Sequence, residues 1–277
     1  MSCNPFTNTK KFNKSKACLV LSVGGIKGIS HIGAIDALKE KGYEFDCIFG
    51  NSIGAFIGSI YAIHPSYNIQ SEYRNIIQNY VEQTKNDKLE SAFLLGAIAL
   101  IVSGGTIGWE TLAAGYIGSE IIGDFSISRF ETILNKYYSE INIDETTIPF
   151  STSYYLEKNN SIGFNIAKHG NLAKHVSNST SNPFIFSDTD LSIIDPGLDR
   201  AASTPINDTC ELFEPDLIIA LNVSGQQPVW NKNGRCKVKI INIKIDDIDK
   251  IDNAFLGVGK EYNYLYDQGF ATVQGNL

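Results

Sequence analysis

The sequence reads as an α/β fold with a central, mostly parallel sheet flanked by helices. Three observations lead there. Residues 17–23 (ACLVLSV) are an apolar run of strand length, followed at once by a glycine loop and a helix pattern. Residues 46–62 (DCIFGNSIGAFIGSIYA) repeat that order: an apolar run, a tight turn at Ser52, then a helix pattern that is apolar nearly all round. The resulting order is strand, loop, helix, strand, turn, helix. Such a βαβα start makes the first two strands parallel, with helices packed on them. Both loops then leave the carboxyl ends of their strands and share the edge where ligands bind.

Residues 1–16 are polar and carry Lys10, Lys11, Lys14 and Lys16; they are expected as a solvated arm ahead of one domain over 17–277. In the first helix, from about Ile29 to Lys41, Ile29, Ile32, Ile35 and Leu38 keep one face apolar, and Gly42 ends it. Cys47, Ile48 and Phe49 form the second strand. In the helix that follows, Gly54, Gly58 and Ala62 recur every fourth residue and make a smooth ridge that another backbone can approach. His64-Pro65 stops it. Residues 69–84 are amphipathic, with Tyr73, Ile76, Ile77, Tyr80 and Val81 at helical spacing.

The apolar run 92–102 is too short to cross a bilayer. The glycine-rich stretch 103–118 after it keeps Ile107, Trp109, Leu112, Tyr116 and Ile117. The two together fit either a core helix with a buried loop or an apolar surface that dips into a lipid interface. Ser128 with Glu131 spells a capping box before a stripe of Phe130, Ile133, Leu134 and Tyr137. Strands are expected at 150–156 and 161–166, joined by Asn159-Asn160, and at 191–194, 216–223 and 237–245. A short helix is expected at 171–176, a brief polar stretch at 177–181 and a last helix near 258–270.

Composition narrows the function. The chain has 277 residues, 43% hydrophobic and 19% charged, which suits a globular domain with a real core. A formal charge of −7 argues against nucleic acid as the main partner and against general attraction to anionic membranes. Five cysteines without C-x-x-C spacing suggest buried thiols, a reducing, cytoplasmic compartment and no metal site. No segment has signal-peptide or transmembrane character.

The chemistry concentrates in two loops. Gly50-Asn51-Ser52-Ile53-Gly54 fits G-x-S-x-G, the strand-to-helix elbow that holds a serine hydroxyl out at a helix N-terminus. The loop Gly24-Gly25-Ile26-Lys27-Gly28 is not a P-loop, because Ile29-Ser30 follows Gly28 in place of Lys-Ser/Thr. It is not a dinucleotide loop either, since no acidic residue ends the second strand; Asp46 precedes it. An oxyanion hole remains, with uncovered backbone N–H groups aimed at one spot. A nucleophilic serine needs a proton acceptor. The four histidines are His31, His64, His169 and His175, and none follows His175, which argues against the Ser–acid–His order. The base is then a carboxylate. Asp195, after a short apolar strand and before Pro196-Gly197, is the best placed; Asp199, Asp188 and Asp190 are rivals.

With these motifs in place the sequence resembles the patatin-like phospholipases from about Ala17 to Val223. Val23–Gly28 is similar to that family's oxyanion motif, with a basic residue, Lys27, before the last glycine. The helix text ISHIGAIDALKEKG matches, as does the elbow Gly50–Gly54, and Asp195-Pro196-Gly197 resembles the Asp-Gly-Gly/Ala motif. The resemblance implies a patatin-like α/β domain and a Ser52–Asp195 dyad. It also implies an oxyanion hole from Gly24, Gly25 and Ile53, with Gly28, Gly50, Gly54 and Gly197 as motif glycines. The implied activity is hydrolysis of fatty-acyl esters of phospholipids or lysophospholipids, without cofactor or metal, in peripheral contact with a membrane. Two positions depart from the pattern. Val23 stands for the first glycine of the oxyanion motif, and Pro196 for the middle residue of the aspartate motif, where it removes an N–H. The alternatives are a hydrolase of small soluble esters and a catalytically silent lipid-binding protein.

Overall fold

The computed structural model describes residues 15–84, 126–158, 161–182, 186, 188–245 and 260–277. The run 92–102, the stretch 103–118 with Trp109, and most of the N-terminal arm lie outside them. The order is β1 (Ala17–Leu21), α1 (Ile29–Glu40), β2 (Cys47–Gly50), α2 (Ile53–Ile63), α3 (Ile69–Thr84), α4 (Ile127–Tyr137), β3 (Phe150–Lys158), β4 (Ser161–Ala167), α5 (Leu172–Thr180), β5 (Ile193–Ile194), α6 (Ile206–Phe213), β6 (Leu217–Asn222), β7 (Lys237–Asn242) and α7 (Lys260–Asn276).

The seven strands form one sheet in the order β4-β3-β2-β1-β6-β7, with β5 paired to β3. Strands β3, β2, β1, β6 and β7 run parallel, and β4 and β5 run antiparallel to β3. This is the mostly parallel sheet the sequence calls for. Side chains alternate between its faces. Leu19 and Leu21 enter the large cluster with α1, α2 and α7, while Val20 joins Ile206 of α6, Ile218 and Ala220 in a smaller one. Every residue of α2 is buried, as its all-round apolar pattern requires.

Several expectations need correction. The N-cap of α4 is Ser126, whose hydroxyl accepts from Arg129 N–H, and Ser128 lies inside the helix. The Asp188 carboxylate takes the N–H groups of Ile127 and Ser128, so the cap sits two residues earlier than the Ser128–Glu131 spacing suggests. Helix α5 runs to Thr180, beyond the expected 171–176 and through the brief polar stretch after it, because Val176, Ser177, Ser179 and Thr180 are all buried. Helix α7 extends to Asn276, and the short α6 is an element that local patterning does not announce. The cysteines are the largest change. Register places Cys18 opposite Cys47 on adjacent strands with Cα atoms 4.6 Å apart, and the two are joined as a disulfide. A second disulfide joins Cys210 to Cys236. These four are paired in the structure, not the buried free thiols that the sequence suggests.

Candidate active site

The site is built where β2 stops. Strand β2 pairs with β3 only at Ile48↔Phe150 and Phe49↔Ser151, then the chain leaves the sheet at Ser52 and enters α2. Strand β3 continues, and the side that β2 vacates is taken by β5, running back with Tyr155↔Ile194 and Leu156↔Ile193. The next residue of that returning strand is Asp195. Topology thus delivers Asp195 to Ser52 across 143 residues of sequence: Ser52 Oγ donates to Asp195 Oδ2 at 2.6 Å.

Ser52 has φ 53°, a left-handed backbone that a non-glycine residue holds only when its surroundings impose it. The imposing contacts are specific. The Ser52 N–H donates to Ser179 Oγ of α5 at 3.0 Å. Asn51, fully buried, donates from Nδ2 to the Ala202 carbonyl at 2.8 Å, and its Oδ1 accepts from the N–H and the hydroxyl of Ser153, each at 3.0 Å. The elbow is therefore bolted to β3, to α5 and to the loop after Asp195. Its glycines are needed for closeness. A Cβ on Gly50 would lie 2.1 Å from the Gly54 carbonyl oxygen, and one on Gly54 2.5 Å from the Leu21 oxygen.

Asp195 is 2% exposed. Burial raises its carboxyl pKa to about 6, against the hydrogen bonds from Ser52 and from Gly197 N–H that favour the anion. Gly197 N–H donates to Asp195 Oδ1 at 2.6 Å, so each carboxylate oxygen has one donor. Pro196 is the first residue of the 3₁₀ turn Pro196–Leu198 that Asp195 caps, a position where a missing N–H costs nothing. The other departure is also accommodated. Val23 N–H donates to the Ser203 carbonyl at 2.9 Å, and its buried side chain packs beside Gly197. Val23 thereby joins the glycine loop to the aspartate loop.

That glycine loop, the 3₁₀ turn Gly25–Gly28, lies across the start of α2: a Cβ on Gly28 would meet Ile53 Cγ2 at 2.3 Å. Among the described residues no hydrogen bond takes the N–H groups of Gly24, Gly25 or Ile53. Lys27 is half-buried, and burial holds its ammonium pKa below the usual range.

The rival groups are placed elsewhere. Asp199 accepts from the Tyr155 hydroxyl and from Ala201 N–H, Asp188 caps α4, and Asp190 accepts from Ser192 N–H. His31 is buried with Nε2 on the Ser22 carbonyl at 3.0 Å, and burial lowers its pKa to about 4, so it is neutral there. His175 stands within α5 and meets the Tyr154 hydroxyl. Asn51 and Ser179 join the site without having been marked by any sequence pattern. Asn51 sits at an unspecified position of the motif, and Ser179 lies in a polar run with nothing to single it out. Among the described residues no three His, Cys, Asp or Glu side chains gather as metal ligands would.

Lysophospholipase NTE1 of Lodderomyces elongisporus is 51% identical over 55 residues, covering 20% of this chain and 4% of that protein. NTE1 of Coccidioides immitis is 59% identical over 53 residues, 18% of this chain and 3% of the relative. The chain thus matches only a small fraction of the length of these curated relatives. Among solved structures, the ExoU–SpcU complex of Pseudomonas aeruginosa aligns with a TM-score of 0.39 at 15% identity, over 94% of this chain and 51% of that one. VipD of Legionella pneumophila aligns with a TM-score of 0.33 at 15% identity, over 87% and 52%. A sequence model of the patatin-like phospholipases matches residues 19–204, well over half of the chain. The chain belongs to the patatin-like phospholipase family.

Proposed function

We propose that the protein is a serine acyl hydrolase that cleaves fatty-acyl esters of phospholipids or lysophospholipids with a Ser52–Asp195 dyad. The observation that carries this is the 2.6 Å hydrogen bond from Ser52 Oγ to a buried carboxylate. Ser52 Oγ attacks the acyl carbonyl carbon while Asp195 takes its proton. The carbonyl electron pair moves to oxygen, and the N–H groups of Gly24, Gly25 and Ile53 receive it. Collapse expels the alcohol, which takes the proton from Asp195 and leaves an acyl-Ser52 ester. Water then attacks that ester, Asp195 accepts its proton, and the fatty acid leaves as Ser52 is reprotonated. The raised pKa suits a group that must both take and return a proton near neutral pH.

The test pairs chemistry with labelling. Ser52→Ala should abolish release of fatty acid from mixed phospholipids, read by mass spectrometry, together with labelling by a fluorophosphonate. Asp195→Asn should be nearly as damaging, a loss of roughly 10³-fold or more, because the two groups act as a unit. Labelling of another serine, or full activity in Asp195→Asn, would overturn the assignment.

A further inference from the structure

Two disulfides join described residues, and their surroundings differ. Cys18–Cys47 bridges the central strands β1 and β2, where both residues are fully buried. Cys210–Cys236 is half-buried and ties α6 to the residue before β7. Both of its half-cystines line a cavity of about 350 Å³ between α6 and the segment 224–236. Ile206 and Trp230 give this cavity apolar lining, and Glu211 and Arg235 give it charge. A space of that size takes a small molecule. Arg235 Nη2 donates to the Cys210 carbonyl at 2.7 Å, and Cys236 Sγ lies 3.9 Å from the same oxygen. The guanidinium and that sulfur therefore flank one atom. Arg235 Nη1 also donates to Glu214 at 2.9 Å, in an exposed pair that water screens.

An accessible disulfide is opened by a thiolate, and a neighbouring cation favours both the anion that arrives and the thiolate that leaves. We infer that this cavity is the site where a low-molecular-weight thiol attacks the Cys210–Cys236 disulfide of the folded protein. The incoming thiolate bonds to Cys210 Sγ, the S–S bond breaks, and its electron pair goes to Cys236 Sγ beside Arg235. The Cys236 thiolate then takes a proton from water. A second thiolate attacks the adduct at the sulfur of the first, releases Cys210 as a thiolate and departs as the small thiol's own disulfide. Two thiols are oxidised and one protein disulfide is reduced. Opening unties α6 from β7, the edge strand. Helix α6 continues the loop whose Ala202 and Ser203 carbonyls hold Asn51 and Val23, so the untied helix is the one next to the chain that seats Asp195. Cys18–Cys47 has no such approach, since the sheet and its helices seal it.

Timed alkylation tests this, with the full chain incubated in glutathione under native conditions and its cysteines mapped by mass spectrometry. Cys210 and Cys236 should become alkylatable together, at a rate proportional to glutathione and at least about tenfold faster than Cys18 and Cys47. Arg235→Gln should slow this at least about twofold, through loss of the charge beside the leaving sulfur. The sign is decisive, because a residue that only held the segment 224–236 in place would leave faster reduction behind when removed. In Cys236→Ser no second thiol can expel the adduct, so oxidised glutathione should leave one glutathione on Cys210. Both pairs opening at one rate would mean that reduction passes through global unfolding, and would overturn the proposal. So would resistance of the folded protein to glutathione, an unchanged or faster rate in Arg235→Gln, or no adduct on Cys210. None of these readouts depends on turnover, so this inference and the Ser52–Asp195 reading fail separately.

Discussion

Ser52 keeps a backbone conformation it would not choose, and the neighbouring Ser179 holds the one N–H that conformation leaves pointing inward. Ser179→Ala leaves that part-buried donor without its partner, at a cost of about 1 kcal/mol. The expected outcome is a roughly tenfold slower fluorophosphonate labelling of Ser52 and a lower kcat, with KM for a short soluble ester unchanged. Labelling at the parental rate would show that the turn holds itself. Asp195 gives a prediction in pH. Its pKa rises from an ordinary 3.8 to about 6 on folding, through burial. The stability it contributes is therefore full below 3.8 and is lost as pH rises through about 6. Thermal melts should show Asp195→Asn gaining on the parent across that window, by about 2–3 kcal/mol. Turnover of a soluble ester should rise across the same window as the carboxylate ionises. A stability difference that stays constant across the window would remove the pKa argument.

At the scale of elements, the tightest join is between α1 and α7, at opposite ends of the described sequence. A Cβ on Gly269 would lie 1.9 Å from the Ser30 carbonyl oxygen, and one on Gly33 2.0 Å from the Tyr266 carbonyl oxygen. The helices touch backbone to backbone, and the Tyr266 hydroxyl donates to Asp36 at 2.9 Å beside the crossing. Gly269→Ala should force the helices apart and cost about 1–3 kcal/mol. Calorimetry should read this as a melting point lower by about 2–4 °C per kcal/mol. Gly275→Ala, where nothing lies within 4 Å, is the control and should not destabilise. The α1 pattern is plain in the sequence, and its Gly33 is visible there. The partner glycine is not, because no local signal says which two helices cross.

For the whole molecule, the Cys210–Cys236 disulfide ties α6 to the start of β7, the strand at the far edge of the sheet from β4. It closes a loop of 26 residues in sequence separation, for which a constraint of about 2–4 kcal/mol is typical. Cys236→Ser should lower stability to urea by that amount without reductant, and the difference should vanish when reductant is added. A difference that persists in reductant would assign the effect to packing of the smaller core cluster against Trp230 and Val238.

Local runs of sequence are enough for β1, α1, β2, α2 and α3, because each is short in range and strongly apolar on the face or faces it buries. The elbow at Ser52 and the glycine loop are also local, made of adjacent residues. The absence of histidine after His175 is enough to turn attention to a carboxylate, and Asp195 stands out from Asp199 by its place after a strand. What joins those pieces is not local. That β5 fills the side of β3 left by β2, and so brings Asp195 within 2.6 Å of Ser52, is a property of sheet order. The roles of Asn51 and Ser179, the packing of Val23 on Gly197 and the pairing of Cys18 with Cys47 depend on residues 29 to 174 positions apart meeting. A side chain's chemistry is written at its own position, but its partner, its burial and hence its pKa are set by what the fold brings against it.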